Sequence, residues 1–434
     1  MMGGHREELS LEQSTLRQLM RRVVPLLGIA CLVQGLDQLN ISFAGLQMRS
    51  ALHFSAAVFG FGSGIFFVTY TTFGVPSNLL LMRFGARRWI AFLLCAFGPI
   101  TAAMALTQGP LSFYMLRLML GAAEGGFMPG VILAASLWFP ELYRGRVLAW
   151  MFACNPIAAT LGAPLSGWIL QMNGVAGLQG WQWLFILEGL PALALGWVFL
   201  KMLPEHPGQS PWLNAAQRDW LIATLRAERK PAVRRARALG FLTDPKVLAL
   251  SGIFVCGCCL PFAVIFFLPQ IINDFGFSQF ASAALAALPM ACGVIAMLLW
   301  TRHSDQHGER VLHALAAQLF SLTGAIVVVI FASVGARMLG LCMVMAGVYA
   351  FLPLFWALPG SLLDEESAPG GIALINGLGG LAGFGAPVLM GILRDHTGNY
   401  STGLIGASLL STGAALMLLT FRRHTSPIMQ SQSG

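Results

Sequence analysis

The stretches Met82-Arg-Phe-Gly-Ala-Arg-Arg88 and Asp305-Gln-His-Gly-Glu-Arg310 decide the architecture when they are read together. Each is a short polar segment, built around a glycine, that follows a long apolar run. Gly85 and Gly308 are 223 residues apart, and the same step carries Gly162-Ala163-Pro164 onto Gly385-Ala386-Pro387. Two unrelated motifs that share one offset are hard to obtain by chance. The chain is therefore an internal duplication, with the polar loop after the second apolar run of each half and Gly-Ala-Pro inside the fifth.

Working outward from these motifs, apolar runs fall near 23–43, 56–80, 88–107, 111–137, 146–172 and 183–202, then near 246–272, 281–300, 312–332, 337–360, 370–393 and 402–421. About 20 apolar residues cross a ~30 Å hydrocarbon core as a helix. Only helices or closed barrels satisfy the backbone there, and barrel strands are short and alternate in polarity. The reading is an all-α membrane protein, with twelve transmembrane helices in two pseudo-symmetric six-helix bundles. Composition agrees: 56% of residues are hydrophobic and 10% charged, against about 25% charged in soluble domains. The boundaries expected are a tail over 1–22, a bundle over 23–202, a linker over 203–245, a second bundle over 246–421 and a tail over 422–434. The first 22 residues are polar and show no cleavable signal pattern, so the first helix is read as an uncleaved span.

The net charge of +8 reflects topology rather than nucleic acid. With the N-terminus in the cytoplasm, 22 of the 26 Lys and Arg residues lie on the inner side; Arg49, Arg337 and Arg394 lie outside, and Arg117 lies within a helix. The positive-inside rule then places both termini in the cytoplasm of a bacterial inner membrane. The basic run Arg234-Arg235-Ala236-Arg237 reads as a tether near anionic headgroups. Acidic residues such as Asp364-Glu365-Glu366, on the same side, count little in that rule. All eight cysteines fall inside expected helices, where they pack as small hydrophobes. There is no metal constellation, phosphate loop or nucleophile motif, so neither an enzyme nor a cofactor is expected.

With these residues in hand, the chain resembles a major facilitator transporter of the anion:cation symporter family. The resemblance rests on Leu36-Asp-Gln-Leu-Asn-Ile-Ser-Phe-Ala44, Val75-Pro-Ser-Asn-Leu-Leu-Leu81, Arg83-Phe-Gly-Ala-Arg-Arg-Trp89, Gly180-Trp-Gln-Trp-Leu-Phe-Ile-Leu-Glu-Gly189, Arg302-His-Ser-Asp305 and Gly370-Gly-Ile-Ala-Leu-Ile-Asn376. It implies proton-driven import of organic anions, and the wording around Gly180 is most similar to the 4-hydroxyphenylacetate permeases. It also implies a gate motif at Arg83, Gly85 and Arg87, repeated at Asp305, Gly308 and Arg310, and substrate contacts at Tyr70, Asn155 and Asn376. Two departures stand out. Gln38 occupies the place of an arginine beside Asp37, and Met82 that of an acid in the first gate loop.

An ionisable side chain at mid-membrane costs at least ~2.5–3.5 kcal/mol on insertion scales, so it normally faces a cavity and functions there. Asp37, Arg117 and Glu124 are such residues. Arg117 and Glu124 share a face of the fourth helix, ~10 Å apart along its axis, too far for a direct ion pair. Arg117 is the expected substrate cation, with Asp37 and Glu124 as the proton carriers. Without an adjacent arginine, Asp37 is the better placed of the two to accept a proton from outside. Gln34, Tyr70, Asn155, Trp356 and Asn376 are candidate cavity residues; Glu188 reads as a boundary carboxyl, and Trp181 and Trp183 as part of the interfacial aromatic belt. Glycines spaced by four from Gly121 to Gly130 predict close backbone approach around Glu124. The function expected is symport of a small organic carboxylate, either an aromatic acid such as a hydroxyphenylacetate or a sugar or hydroxy acid, with protons and membrane lipid as the other partners. No nucleic acid and no obligate protein partner are expected. The alternatives are a proton-coupled exporter of the same fold and a membrane receptor that does not transport.

Overall fold

The computed structural model describes residues 2–228, 240–363 and 368–430; the basic run at 234–237 and the acidic run at 364–366 lie outside them. Among the described residues, twelve helices are long and apolar enough to cross a membrane. They are α1 (Met2–Ala51), α2 (Ala56–Phe84), α3 (Ala86–Leu106), α4 (Pro110–Trp138), α5 (Glu141–Leu170), α6 (Gly180–Met202), α7 (Pro245–Asn273), α8 (Gln279–His307), α9 (Arg310–Ile330), α10 (Val334–Leu362), α11 (Ala368–Thr397) and α12 (Ser401–Gln430). The twelve-span expectation is met, and the ends run longer than the apolar runs. Helix continues through the polar stretch ahead of residue 23 and on to Gln430.

Local chemistry sets the boundaries. Ser55 caps α2 by accepting from Val58 N, and Ser278 caps α8 by accepting from Ala281 N; these two caps are again 223 residues apart. Gly85 separates α2 from α3 at φ 81° and ψ 160°, a conformation essentially reserved for glycine. In the linker, Asn214 caps a helix over Ala215–Ala227, with Gln217 reaching back in a capping box. The same Gln217 meets Gln18 and Ser14 of α1, so the linker helix docks on the extended start of the first span.

The two ends of the bundle differ. One continuous apolar cluster joins the second half to the end of the first half that carries the α1–α2 connection, through residues such as Phe43, Phe59, Phe267 and Tyr400. A separate cluster, including Leu27, Trp89, Phe127 and Trp138, fills the first half at the end that carries the termini. Hydrogen bonds between the halves follow the first cluster: Ser42 Oγ donates to Ile265 O at 3.0 Å, Gln279 Nε2 to Leu46 O at 3.2 Å and Arg49 Nη1 to Tyr400 OH at 2.7 Å. The halves are thus joined at the end distant from the termini. Gly60, Gly64 and Gly391 let α2 and α11 approach there, since a Cβ at any of them would meet the partner backbone.

Candidate functional site

Gln34 and Asp37 lie on one stripe of α1, with Gln38 beside them. Gly121, Gly125 and Gly126 let α4 approach α2 so closely that a Cβ would meet Phe66, Tyr70 or Ser77. The α-helix of α4 is interrupted directly after Glu124, at Gly125 and Gly126. These features bring Asp37 and Glu124 together in the first half, both at 0% exposure and close enough for each to act on the other's charge. Gln34 Nε2 donates to Glu124 Oε2 at 2.8 Å, and Asn40 Nδ2 donates to Asp37 Oδ1 at 3.1 Å. The other oxygens, Asp37 Oδ2 and Glu124 Oε1, have no hydrogen-bond partner among the described residues.

Arg117 is also fully buried. It makes no ion pair with Glu124, in keeping with their spacing, but both carboxyls feel its charge. Its Nε donates to Gly62 O at 3.1 Å and its Nη2 to Ser63 O at 3.2 Å, with the guanidinium over the Phe66 ring at 4.6 Å. In this conformation those N–H groups serve α2.

Beside the carboxyl pair is a cavity of about 190 Å³ lined by Cys31, Gln34, Gln38, Tyr70, Met128, Met151, Phe152 and Asn155. Asn155 Nδ2 donates to Gln38 Oε1 at 3.5 Å. Tyr70, Asn155 and Gln34 are therefore brought together, and Gln38, notable in the sequence only for the arginine it replaces, is a wall of the same space. Trp356 and Asn376 are not part of it. Trp356 packs edge-on against Phe254 at 4.9 Å, and Asn376 is exposed on α11.

The two loops expected to act as gates are asymmetric. Met82 is 76% exposed, and the acid on the first loop's arginines is Glu205, just beyond α6, at 3.9 Å from Arg87 and 3.5 Å from Arg88. Arg87 also donates to Leu200 O. Arg83 is exposed over Phe84. In the second half, Asp305 is exposed without an ion pair among the described residues, and Arg310 Nη1 reaches Ala357 O at 3.4 Å. Gly308 sits at φ 66° with open space around it.

Several contacts at the closed end carried no sequence signal. At the closed end, Asp395 accepts from Ala56 N and Ala57 N, both at 2.8 Å, and Arg394 pairs with Asp274 at 3.2 Å while lying over Tyr400. Burial raises the Asp274 carboxyl above its usual range, opposed by the Arg394 and Arg49 guanidiniums. Trp181 is buried, with its Nε1 on Gln179, rather than set in an interfacial belt. Among the described residues no group of three or more His, Cys, Asp or Glu is placed to hold a metal.

A twelve-span bundle built from two repeats, with buried carboxyls beside a small cavity and one end closed, is the architecture of a membrane transporter. Residues 26–387 match the Major Facilitator Superfamily, and the chain belongs to it. A protein of Agrobacterium vitis described as a tartrate transporter is 40% identical over 425 residues, 98% of this chain and 95% of that protein. A quinolone resistance transporter of Acinetobacter baumannii is 36% identical over 410 residues, 93% of each chain. Among solved structures, a bacterial homologue of the human lysosomal transporter Spinster, in an inward-facing and occupied conformation, shares the fold with a TM-score of 0.79 at 13% identity, covering 92% of this chain and 96% of that one. The protein is a transporter, not an enzyme.

Proposed function

We propose that this transporter imports a small organic carboxylate together with protons across the bacterial inner membrane, with both termini in the cytoplasm. In that orientation the end closed by Arg49, Asp395 and Tyr400 faces outward, and the conformation is inward-facing. The observation that carries the reading is the Asp37–Glu124 pair set against the wall of the amide-lined cavity, with Gln34 belonging to both. An incoming carboxylate at Gln34 and Gln38 competes with Glu124 for the Gln34 amide. Burying a second anion beside an ionised Glu124 is costly, and a proton on Glu124 removes that cost. Substrate and proton therefore travel together. Amides and a phenol suit a hydroxyl-bearing acid better than an unsubstituted aromatic one, in line with the tartrate transporter among the relatives. Arg117 supplies the positive potential behind the pair.

The test is labelled tartrate-class acid in proteoliposomes, with counterflow measured beside uptake driven by a pH gradient. Glu124→Gln is expected to exchange substrate but to lose accumulation by at least about tenfold, as expected for a proton-transfer group. Asp37→Asn weakens accumulation with a milder effect on exchange. Accumulation by Glu124→Gln at the parental level refutes the scheme. One observation favours a second reading, proton-coupled export of drugs: the similarity to the quinolone resistance transporter. Quinolone efflux that moves protons, with no acid uptake, would establish it instead.

A further inference from the structure

Glu188 was expected at a helix boundary, yet it is 6% exposed in the interior of the first half. It stands eight residues from the start of α6 at Gly180, ~12 Å along the axis from the closed end. Glu124 and Asp37 each stand fourteen residues in from that end, counted from Pro110 and Ala51, ~21 Å along their axes. Glu188 is therefore the carboxyl nearer the closed face. Ser166 Oγ of α5 donates to its Oε1 at 2.9 Å, while Oε2 is buried without a hydrogen-bond partner among the described residues.

A second orphan lies on α3, where that helix packs against the turn of α6 that follows Glu188. Thr101 of α3 is 0% exposed, and its Oγ1 has no hydrogen-bond partner among the described residues. Its Cβ sits 3.1 Å from where a Cβ on Gly189 would stand, next to Glu188, and its hydroxyl faces Asp37. Asp37 Oδ2, Thr101 Oγ1, Glu124 Oε1 and Glu188 Oε2 are thus four buried oxygens on α1, α3, α4 and α6 with no hydrogen-bond partner among the described residues. Buried polar atoms are normally satisfied, and each exception calls for an explanation such as a catalytic role or a bound water. The charged group that acts on Glu188 is Asp37. Cys95, farther along α3, faces Leu193 and Gly196 instead.

We infer that Glu188 is the uptake-side proton carrier of this transporter, handing protons through the Thr101 hydroxyl to the Asp37–Glu124 pair. A proton accepted on Glu188 Oε2 passes to Thr101 Oγ1 as Thr101 gives its own hydrogen to Asp37 Oδ2. Glu188 returns to a carboxylate, Thr101 is unchanged and Asp37 becomes the acid. The inference rests on proton coupling, so the parent protein is measured first. Failure of the parent to accumulate tartrate-class acid on a pH gradient removes the coupling itself, whatever Glu188 does.

With coupling present, Glu188→Gln keeps an oxygen for Ser166 and retains counterflow, while acid-driven uptake falls at least about tenfold, as for other proton-transfer groups. Glu188→Asp restores part of that rate and shifts its dependence on external pH, which a purely structural side chain would not do. Thr101→Val reproduces the uptake defect and Thr101→Ser does not; this pair also decides the matter if Glu188→Gln fails to fold. At Glu188 two results overturn the inference: acid-driven uptake by Glu188→Gln at the parental rate, or loss of counterflow in step with uptake. In the Thr101 pair, equal uptake by the Val and Ser variants overturns it.

Discussion

Arg117 was legible in sequence, but the groups that it touches were not. A lone cation within an apolar helix stood out as a substrate ligand. In the fold its Nε and Nη2 are held by the carbonyls of Gly62 and Ser63 while its charge acts on Asp37 and Glu124. Arg117→Gln is expected to abolish transport and to lower the unfolding midpoint of the solubilised protein, because two buried carboxyls lose their counter-charge. Breaking a buried charge arrangement in this way costs about 3–5 kcal/mol. Arg117→Lys should keep partial transport, since an ammonium carries the charge but cannot reproduce the planar fork on two neighbouring carbonyls. Normal tartrate binding by Arg117→Gln, read by thermal shift, would leave the arginine a structural part and place anion recognition on the amides. Glu188 and Thr101 were harder to read. Helix depth follows from sequence, but whether a carboxyl faces lipid headgroups or the interior depends on which helices flank it.

At the scale of elements, the duplicated loops make a pair of matched experiments. Gly85 adopts φ 81° and ψ 160°, and a Cβ there would meet Glu205, the acid that holds Arg87 and Arg88. Gly308 adopts φ 66° with nothing in the way. An alanine at Gly308 bears only the left-handed penalty, roughly 1–2 kcal/mol. At Gly85 it occupies a glycine-only region, at a cost of about 1–3 kcal/mol, and also displaces Glu205. Thermal unfolding should therefore show Gly85→Ala as the more destabilised, with transport reduced in parallel. Equal midpoints for the two variants would mean that Glu205 does not hold the first gate. The missing acid at Met82 was visible in sequence. Its replacement from beyond α6 was not, because the two are brought together only when α2, α3 and α6 assemble.

For the whole molecule, the closed end and the charge bias make one joint prediction about orientation. In a cysteine-free background, single cysteines at the exposed positions Ser50 and His396 should react with an impermeant thiol reagent applied to intact cells. Cysteines at Arg88 and Arg146 should react only after permeabilisation. Arg49 and Arg394 are poor sites for such tags, because they carry the hydrogen bond to Tyr400 and the ion pair to Asp274. The reverse labelling pattern would invert the transporter and turn import into export.

The sequence by itself determined the number of spans, the two-fold repeat and the acidic residues at depth. Each of these depends on local quantities: the length of an apolar run, a fixed offset and the cost of a charge in hydrocarbon. The tertiary structure decided that Gln38 lines the cavity, that Trp356 and Asn376 do not join it, that Glu205 and Asp395 meet distant helices, and that Glu188 is buried. Those outcomes depend on which helix faces meet. That in turn is set by glycine contacts such as Gly121 on Phe66 and Gly60 on Pro387, made between residues far apart along the chain.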